Sequence, residues 1–301
     1  MIRIFLLFAL LAGCASTPKH PEGGYGAPLL WQLSDEDTTI YLFGSIHALP
    51  GGLNWRTEKF NNAFAASDTF CVETDADQKA DEYRAYIREY GFFNNGERLS
   101  DYLSEDEAED VFEIADAVSV DKDYIDSMKP WNAMFDLGQR VNEHLGLDLN
   151  NGVEFTLLPE ARASGKHICE MEDPFHTVTS ISTLPLETQV IVLTHEPAEF
   201  KDIEELDEAF AKIRENNDKM VDEWMRGDIG AMEAEDILDS YGHIDFYNAI
   251  LTKRNRNWIP RIEALLDTPG VKFVTVGAAH LFGPDSVVNM LRDKGYRVEG
   301  P

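Results

Sequence analysis

The stretch TTIYLFGSIHALPGG (residues 38–52) governs the reading of the chain. Ile40 to Phe43 is apolar on both faces, the mark of a strand buried inside a sheet. The run stops at Gly44, His47 follows three residues later, and a Pro-Gly-Gly turn closes it. Near the other terminus, VKFVTVGAAHLFGPD (271–285) repeats the order: an apolar run, Gly277, His280 three residues on, and a Gly-Pro turn. In open α/β sheets ligands gather at the carboxyl ends of strands. Glycine at such an end lets backbone approach a ligand or adopt φ > 0. Two imidazoles from opposite ends of the chain are therefore expected on one rim, in one site.

Outward from the first stretch, LLWQLS (29–34) pairs with it as a hairpin across the polar turn Asp35-Glu36-Asp37. Trp55 to Ala66 has helical spacing (Phe60, Ala63, Phe64), and DTFCVE (68–73) is a second buried strand ending at Glu73. Together they read as a β-α-β unit. Gln78 to Gly146 is helical and acidic without a convincing strand, and Ser104 is a candidate N-cap ahead of Val111, Ile114 and Ala115. Gly152 to Ser164 reads as a helix closed by Gly165, and KHICEME (166–172) as a strand running into a loop at Glu172. Helices are expected over Leu186–Leu193, Ile203–Met225 and Tyr247–Leu266. After the last strong strand, a return helix with Pro284 near its first turn leads to a short strand, YRVE (296–299). The expected fold is mixed α/β: a central mixed sheet built from both chain ends, with a helical cap inserted over about 78–146.

Of the 301 residues 44% are hydrophobic, enough for a substantial core, and 55 are acidic, giving a formal charge of −29. Such a field repels nucleic acid and anionic lipid surfaces, so no nucleic-acid partner is expected. At the N-terminus, Arg3 precedes an apolar run from Ile4 to Leu11 that is too short to span a bilayer and reads as a secretory signal. LAGC (11–14) resembles a bacterial lipobox. Residues 1–14 are thus expected to be a signal peptide ending at a lipidated Cys14, with 15–26 a flexible tether and 27–301 a single domain. Ala15 and Ser16 in place of aspartate point, by resemblance to Gram-negative lipoproteins, to an outer-membrane anchor facing the periplasm. That compartment permits a disulfide between Cys71 and Cys169. Both lie in short apolar runs, however, and read first as small core residues.

Two histidines alone make a poor metal site, and Glu73 and Glu172, both at strand ends, are the first further candidates, with Glu154 in NGVEF a third. The segments LLWQLSDEDTTIYLFGSIHALP, FCVETD, NGVEF, GKHICEMED, RNRNWIPRI and VGAAHLFGPDSVVNMLRDKGYRVE follow one another as in TraB/GumN proteins. Over Ala27 to Glu299 the chain resembles that family, which is grouped with Tiki-type proteases and is distantly similar to erythromycin esterases. The resemblance implies a metal-dependent hydrolase fold using a divalent ion, Mn or Co, with Zn admitted by the ligand types. It matches His47, Glu73, Glu172, the pair Arg254-Asn255 and His280. His47, Glu73 and His280 would hold the metal and leave a position for water. Glu172 would be a further ligand or the general base, and Arg254 a donor to an oxyanion or substrate carboxylate. Trp258 reads as core or pocket wall.

Other hydrolase signatures are missing: there is no H-E-x-x-H and no G-x-S-x-G. Two functions follow. One is a lipid-anchored, periplasm-facing hydrolase of a peptide or another small amide or ester. The other is a peptide-binding or regulatory lipoprotein without turnover.

Overall fold

The computed structural model describes residues 27–75, 79–195, 203, 205–228 and 241–300. The signal, lipobox and most of the tether, including Cys14, lie outside these residues. The hairpin forms as read: β1 (Leu30–Ser34) runs antiparallel to β2 (Thr38–Ser45), with Leu30 opposite Phe43. Asp35 closes the turn, its Oδ1 accepting the backbone N–H of Asp37 at 3.1 Å and of Thr38 at 2.8 Å. Thr57 then caps α1 (Glu58–Ala66), its hydroxyl accepting the Phe60 N–H at 3.1 Å. The helix buries Phe60, Ala63 and Phe64 and returns the chain to β3 (Thr69–Val72).

The acidic stretch is helical: α2 (Ala80–Tyr90), α3 (Glu105–Ala117), α4 (Lys122–Asp126) and α5 (Pro130–His144). Ser104 and Glu107 form a reciprocal capping box at the start of α3. Next come α6 (Val153–Ala163), β4 (His167–Glu170), α7 (Phe175–Ser182), α8 (Leu186–Leu193) and α9 (Leu206–Arg226). Helix α7 is an addition to the sequence reading, because FHTVTSIS is rich in β-branched and polar residues that hide a helical stripe. The helix expected over Tyr247–Leu266 is divided. A short α10 (Ile244–Tyr247) passes through a π-turn at Asn248–Thr252 into α11 (Lys253–Leu266). The chain ends with β5 (Gly270–Gly277), α12 (Val287–Asp293) and β6 (Val298–Glu299). Ser286 caps α12 by accepting the Asn289 N–H at 3.2 Å, so Pro284 lies in the loop before the helix and not in its first turn.

The six strands are ordered β4-β3-β5-β2-β1-β6. Pairings β2–β5, β5–β3 and β3–β4 are parallel, while β1 is antiparallel to both neighbours. The mixed sheet drawn from both chain ends is thus present. Its four parallel strands finish at one edge, with Ser45 level with Gly277 and Val72 level with both Thr275 and Glu170. His47, Glu73, Glu172 and His280 follow those ends directly.

Cys71 and Cys169 are not independent core thiols but a disulfide, Cα–Cα 4.4 Å. They are register partners on adjacent strands β3 and β4, a relation that neither apolar run displays alone.

Two apolar clusters fill the molecule. One packs on the sheet, where Phe43 lies 4.8 Å from Phe60 and 5.7 Å from Trp55 between ring centroids. Full burial of each such side chain contributes about 1.5–3 kcal/mol. The second cluster is helical, drawing Val111, Ile125 and Leu137 from 78–146 and also Val178, Val192 and Phe246 from beyond it. Ala48, the residue after His47, belongs to this second cluster, so the site lies where the two meet.

Candidate functional site

Two glycines let the strand ends close on each other. A Cβ on Gly44 would lie 3.0 Å from the Cα of Ala278, so the bare residue allows the Ala278–His280 turn to settle against β2. A Cβ on Gly277 would lie 3.1 Å from Glu73 Oε1, 3.2 Å from His47 Nε2 and 3.6 Å from His280 Cδ2. The three residues expected to act together therefore converge on one bare Cα.

Glu73 is the hub. Its Oε1 accepts the Gly277 N–H at 2.6 Å and stands 3.9 Å from His47 Nε2 and 3.7 Å from His280 Nε2. Its Oε2 accepts from Arg254 Nη2 at 2.5 Å. Arg254 comes from the first turn of α11, just past the π-turn, and its Nη1 also donates to the Ile250 carbonyl at 2.9 Å. Its Nε donates to Glu172 Oε1 at 2.8 Å. Glu172 is held further by Thr177 at 2.9 Å and by the Trp258 indole N–H at 3.2 Å. One guanidinium thus binds both strand-end carboxylates. Burial opposes the charges of Glu73 and Arg254, yet each outweighs that cost for the other. Arg254, then His280 and His47, hold the Glu73 carboxyl far below the usual carboxylate range. Glu73 and Glu172 raise Arg254.

The imidazoles are oriented from behind by different partners. His280 Nδ1 lies 2.5 Å from Asn255 Oδ1, and Asn255 in turn donates its Nδ2 to the Asp285 carbonyl at 2.8 Å. Since the Asn255 oxygen accepts, His280 carries its proton on Nδ1 and turns a bare Nε2 towards Arg254 Nη1, 3.1 Å away. Burial and then the Arg254 charge push the His280 pKa down to about 3. His47 Nδ1 instead meets Glu154 Oε1 at 3.0 Å, and the buried Ser45 hydroxyl donates to that same oxygen. Burial would lower the His47 pKa, but the Glu154 and Glu73 carboxylates prevail and raise it to about 9. At neutral pH one imidazole is charged and the other neutral.

Glu154 reaches His47 because α6 starts against it. The Val153 N–H donates to the Ile46 carbonyl at 3.1 Å, and any Cβ on Gly152 would collide with the His47 carbonyl. The sequence marks NGVEF only as an acidic residue near a helix start. The glycine before it was the available signal of a close approach. Thr177 was missed together with α7.

Exposure separates the roles further. The His47 side chain is 30% exposed, whereas Arg254 is 8%, His280 6% and Glu172 4% exposed. His47 is the most solvent-accessible member of the cluster. Arg254, expected to bind an oxyanion, has all three nitrogens committed within the protein, and Glu172, expected as a ligand or base, is committed to Arg254, Trp258 and Thr177. Both act as a clamp beneath the site. Trp258 is fully buried and forms its wall, 4.4 Å from the His280 ring.

The chain belongs to the TraB/PrgY/gumN family. The family model matches residues 29–300, nearly all of the described fold. The uncharacterized protein YbaP of Escherichia coli (strain K12) is 24% identical over 200 residues, 65% of this chain and 69% of YbaP. YbaP of Shigella flexneri is similar to the same extent, 24% over 200 residues. No solved structure matches the chain. Family membership and geometry meet at the two Gly-x-x-His corners, which lie within the matched region.

A divalent ion is tested against this arrangement by donor type and spacing. Among the described residues, no group of three or more His, Cys, Asp or Glu side chains is arranged as a metal site. The donor types nevertheless fit: two imidazole Nε2 atoms and one carboxylate oxygen surround a glycine Cα. Their separations of 3.7 and 3.9 Å from Glu73 Oε1 are what a first-row ion roughly 2.0–2.2 Å from each atom can span, and such an ion would displace Arg254 Nη1 from its place 3.1 Å from His280 Nε2. His280 is already in the neutral form a ligand requires, and His47 would have to release its proton.

Proposed function

We propose that the chain is a hydrolase of peptide bonds or of a related small amide or ester, lipid-anchored through Cys14 and facing the periplasm. The convergence of His47, Glu73 and His280 on Gly277 carries this reading. These three residues would hold a divalent ion, Mn or Co by family resemblance or Zn by ligand type. Such an ion supplies an acidified water and a polarised carbonyl. The protein's own groups do the remaining work. Glu154 and Asn255 fix the two rings through Nδ1, leaving each Nε2 directed at Glu73. Arg254 keeps Glu73 ionised, and Glu172 keeps Arg254 in place. With no ion bound, His47, the most open member, carries its proton on the solvent side of the cluster; with an ion bound its Nε2 would be a ligand and Glu154 behind Nδ1 would take up the ring's remaining hydrogen bond. The Cys71–Cys169 disulfide is compatible with an oxidising compartment and supports the periplasmic assignment.

The test is metal content of the purified protein, followed by cleavage of a mixed peptide library with and without chelator. If the corners share one ion, His47→Ala or His280→Ala alone abolishes most of the metal affinity seen by calorimetry, and the double variant adds little. Wild-type affinity in all three variants defeats the metallohydrolase reading. Cys14→Ser should release the protein from membranes or trap its precursor, and equal fatty-acid labelling of variant and wild type would defeat the anchor.

The clamp of Arg254 on both carboxylates favours a second reading, a binding protein of the same fold without turnover. It predicts peptide binding that is indifferent to chelator and never followed by cleavage.

A further inference from the structure

The Arg254 guanidinium engages two of the three side chains suited to a divalent ion. Its Nη1 donates to His280 Nε2 at 3.1 Å, and its Nη2 donates to Glu73 Oε2 at 2.5 Å. At 8% side-chain exposure it is out of water with them. Among the described residues no other lysine or arginine pairs with Glu73 or Glu172. One positive charge therefore balances two buried carboxylates, and it does so from the corner that His280 and Glu73 would offer to an ion.

The contacts of Arg254 divide into one that an ion would contest and others that it would leave. A ligand bond to His280 Nε2 uses the same lone pair to which Nη1 donates. A divalent charge beside a buried guanidinium also repels it strongly, because little water screens the two. The remaining contacts form an anchor. Nε donates to Glu172 Oε1 at 2.8 Å, and Nη1 has a second acceptor in the Ile250 carbonyl at 2.9 Å, within the π-turn. The guanidinium carbon lies 5.0 Å over the Trp258 ring, a flat face on which it can shift and stay in contact. Giving up His280 thus costs Arg254 one hydrogen bond and strands none of its nitrogens.

We infer that Arg254 is a resident cation of the site, holding the His280–Glu73 corner until a divalent ion takes it and then yielding towards Glu172 and Ile250. Metal binding is an exchange of one cation for another, and the arginine's hold lowers the affinity. Both carboxylates keep a counter-charge with and without the ion, and loading follows ion supply. The inference rests on the metal half of the reading above and not on hydrolysis.

The test is calorimetric titration of the chelator-treated, dialysed full chain with Mn2+ and with Zn2+, for wild type, Arg254→Met and Arg254→Lys. With the rival charge gone, Arg254→Met should bind at least about tenfold more tightly than wild type. Its metal-free form should unfold at lower urea than wild type, and saturating ion should restore most of that loss. Arg254→Lys returns one positive charge without a second arm to reach His280. It should bind with intermediate affinity, and it decides the matter if the methionine variant does not fold. In wild type, Zn2+ should shift the Arg254 Nη signals in nitrogen-15 NMR spectra and leave the Nε–H signal, held by Glu172, nearly in place. Variant affinities at or below that of wild type, or unmoved Nη signals on loading, overturn the resident cation and leave the metal reading standing. Ion binding by the variants but not by wild type supports the resident cation and removes the metallohydrolase instead. Binding by none of the three removes both.

Discussion

The two Gly-x-x-His corners share a sequence pattern and a strand edge, yet they are chemically opposite. At the first, an anionic partner behind the ring, Glu154, makes His47 a cation that is partly open to solvent. At the second, a neutral partner, Asn255, and the adjacent guanidinium keep His280 uncharged and buried under Trp258. The motif fixes where each imidazole stands. The residue behind its Nδ1 and the charges before its Nε2 decide what it does.

Breaking the shared centre should give the largest effect. Arg254→Met leaves Glu73 and Glu172 buried without their common counter-charge. Removing one partner of a buried ion pair costs about 3–5 kcal/mol, so urea unfolding should show a loss in that range. A loss below about 1 kcal/mol would mean that the clamp is not what holds the two carboxylates together.

Exchanging the partners should convert one corner into the other. Glu154→Gln keeps the contact to His47 Nδ1 but removes the main charge that raises it, so its pKa should fall from about 9 towards or below the free value of 6.5. Asn255→Asp should move His280 upward from about 3. Ring-proton titration by NMR in chelator reads both. If neither histidine moves, the residues behind the rings do not set their charge.

The pH dependence of stability sharpens the contrast with a smaller effect. Because folding raises His47 from 6.5 to about 9, its bound proton stabilises the fold fully below pH 6.5, and this is lost as pH rises through 9. Folding lowers His280 from 6.5 to about 3, so its contribution is present above pH 6.5 and lost as pH falls towards 3. Glu73, also lowered, steepens the acid limb once pH drops below 4.5. The metal-free protein should therefore be most stable near pH 6.5, with His47→Gln flattening the alkaline limb and His280→Gln the acid one. Unfolding midpoints across that range, measured with chelator present, check the two limbs separately.

What the sequence displays and what it conceals divide along the same line. The apolar runs, the glycines, both histidines and Glu73 are legible because each depends on a few consecutive residues at a strand end. The mixed α/β class follows from the order of those runs. Concealed are the relations between segments: that the start of α6 docks on His47 through Gly152, that Thr177 supports Glu172, and that Arg254 turns inward between carboxylates. No local period records which helix end meets which strand end.

The disulfide has a consequence for how this centre is held. Strand β4 is the outermost of the sheet, four residues long, and is paired on one side only. Three residues beyond Cys169 stands Glu172, and two beyond Cys71 stands Glu73, joined through the Glu172 N–H to the Glu73 carbonyl at 3.1 Å. The bridge spans 98 residues of chain, and a native cross-link of that kind contributes on the order of 2–4 kcal/mol. Besides the bridge, the edge strand is held by its pairing with β3, by Ile168 packed on the sheet cluster, and by Glu170, which accepts from the Asp75 N–H and from Arg261. The cross-link thereby restrains, from the sheet's edge, the strand end that carries Glu172 and with it the carboxylate that Arg254 binds.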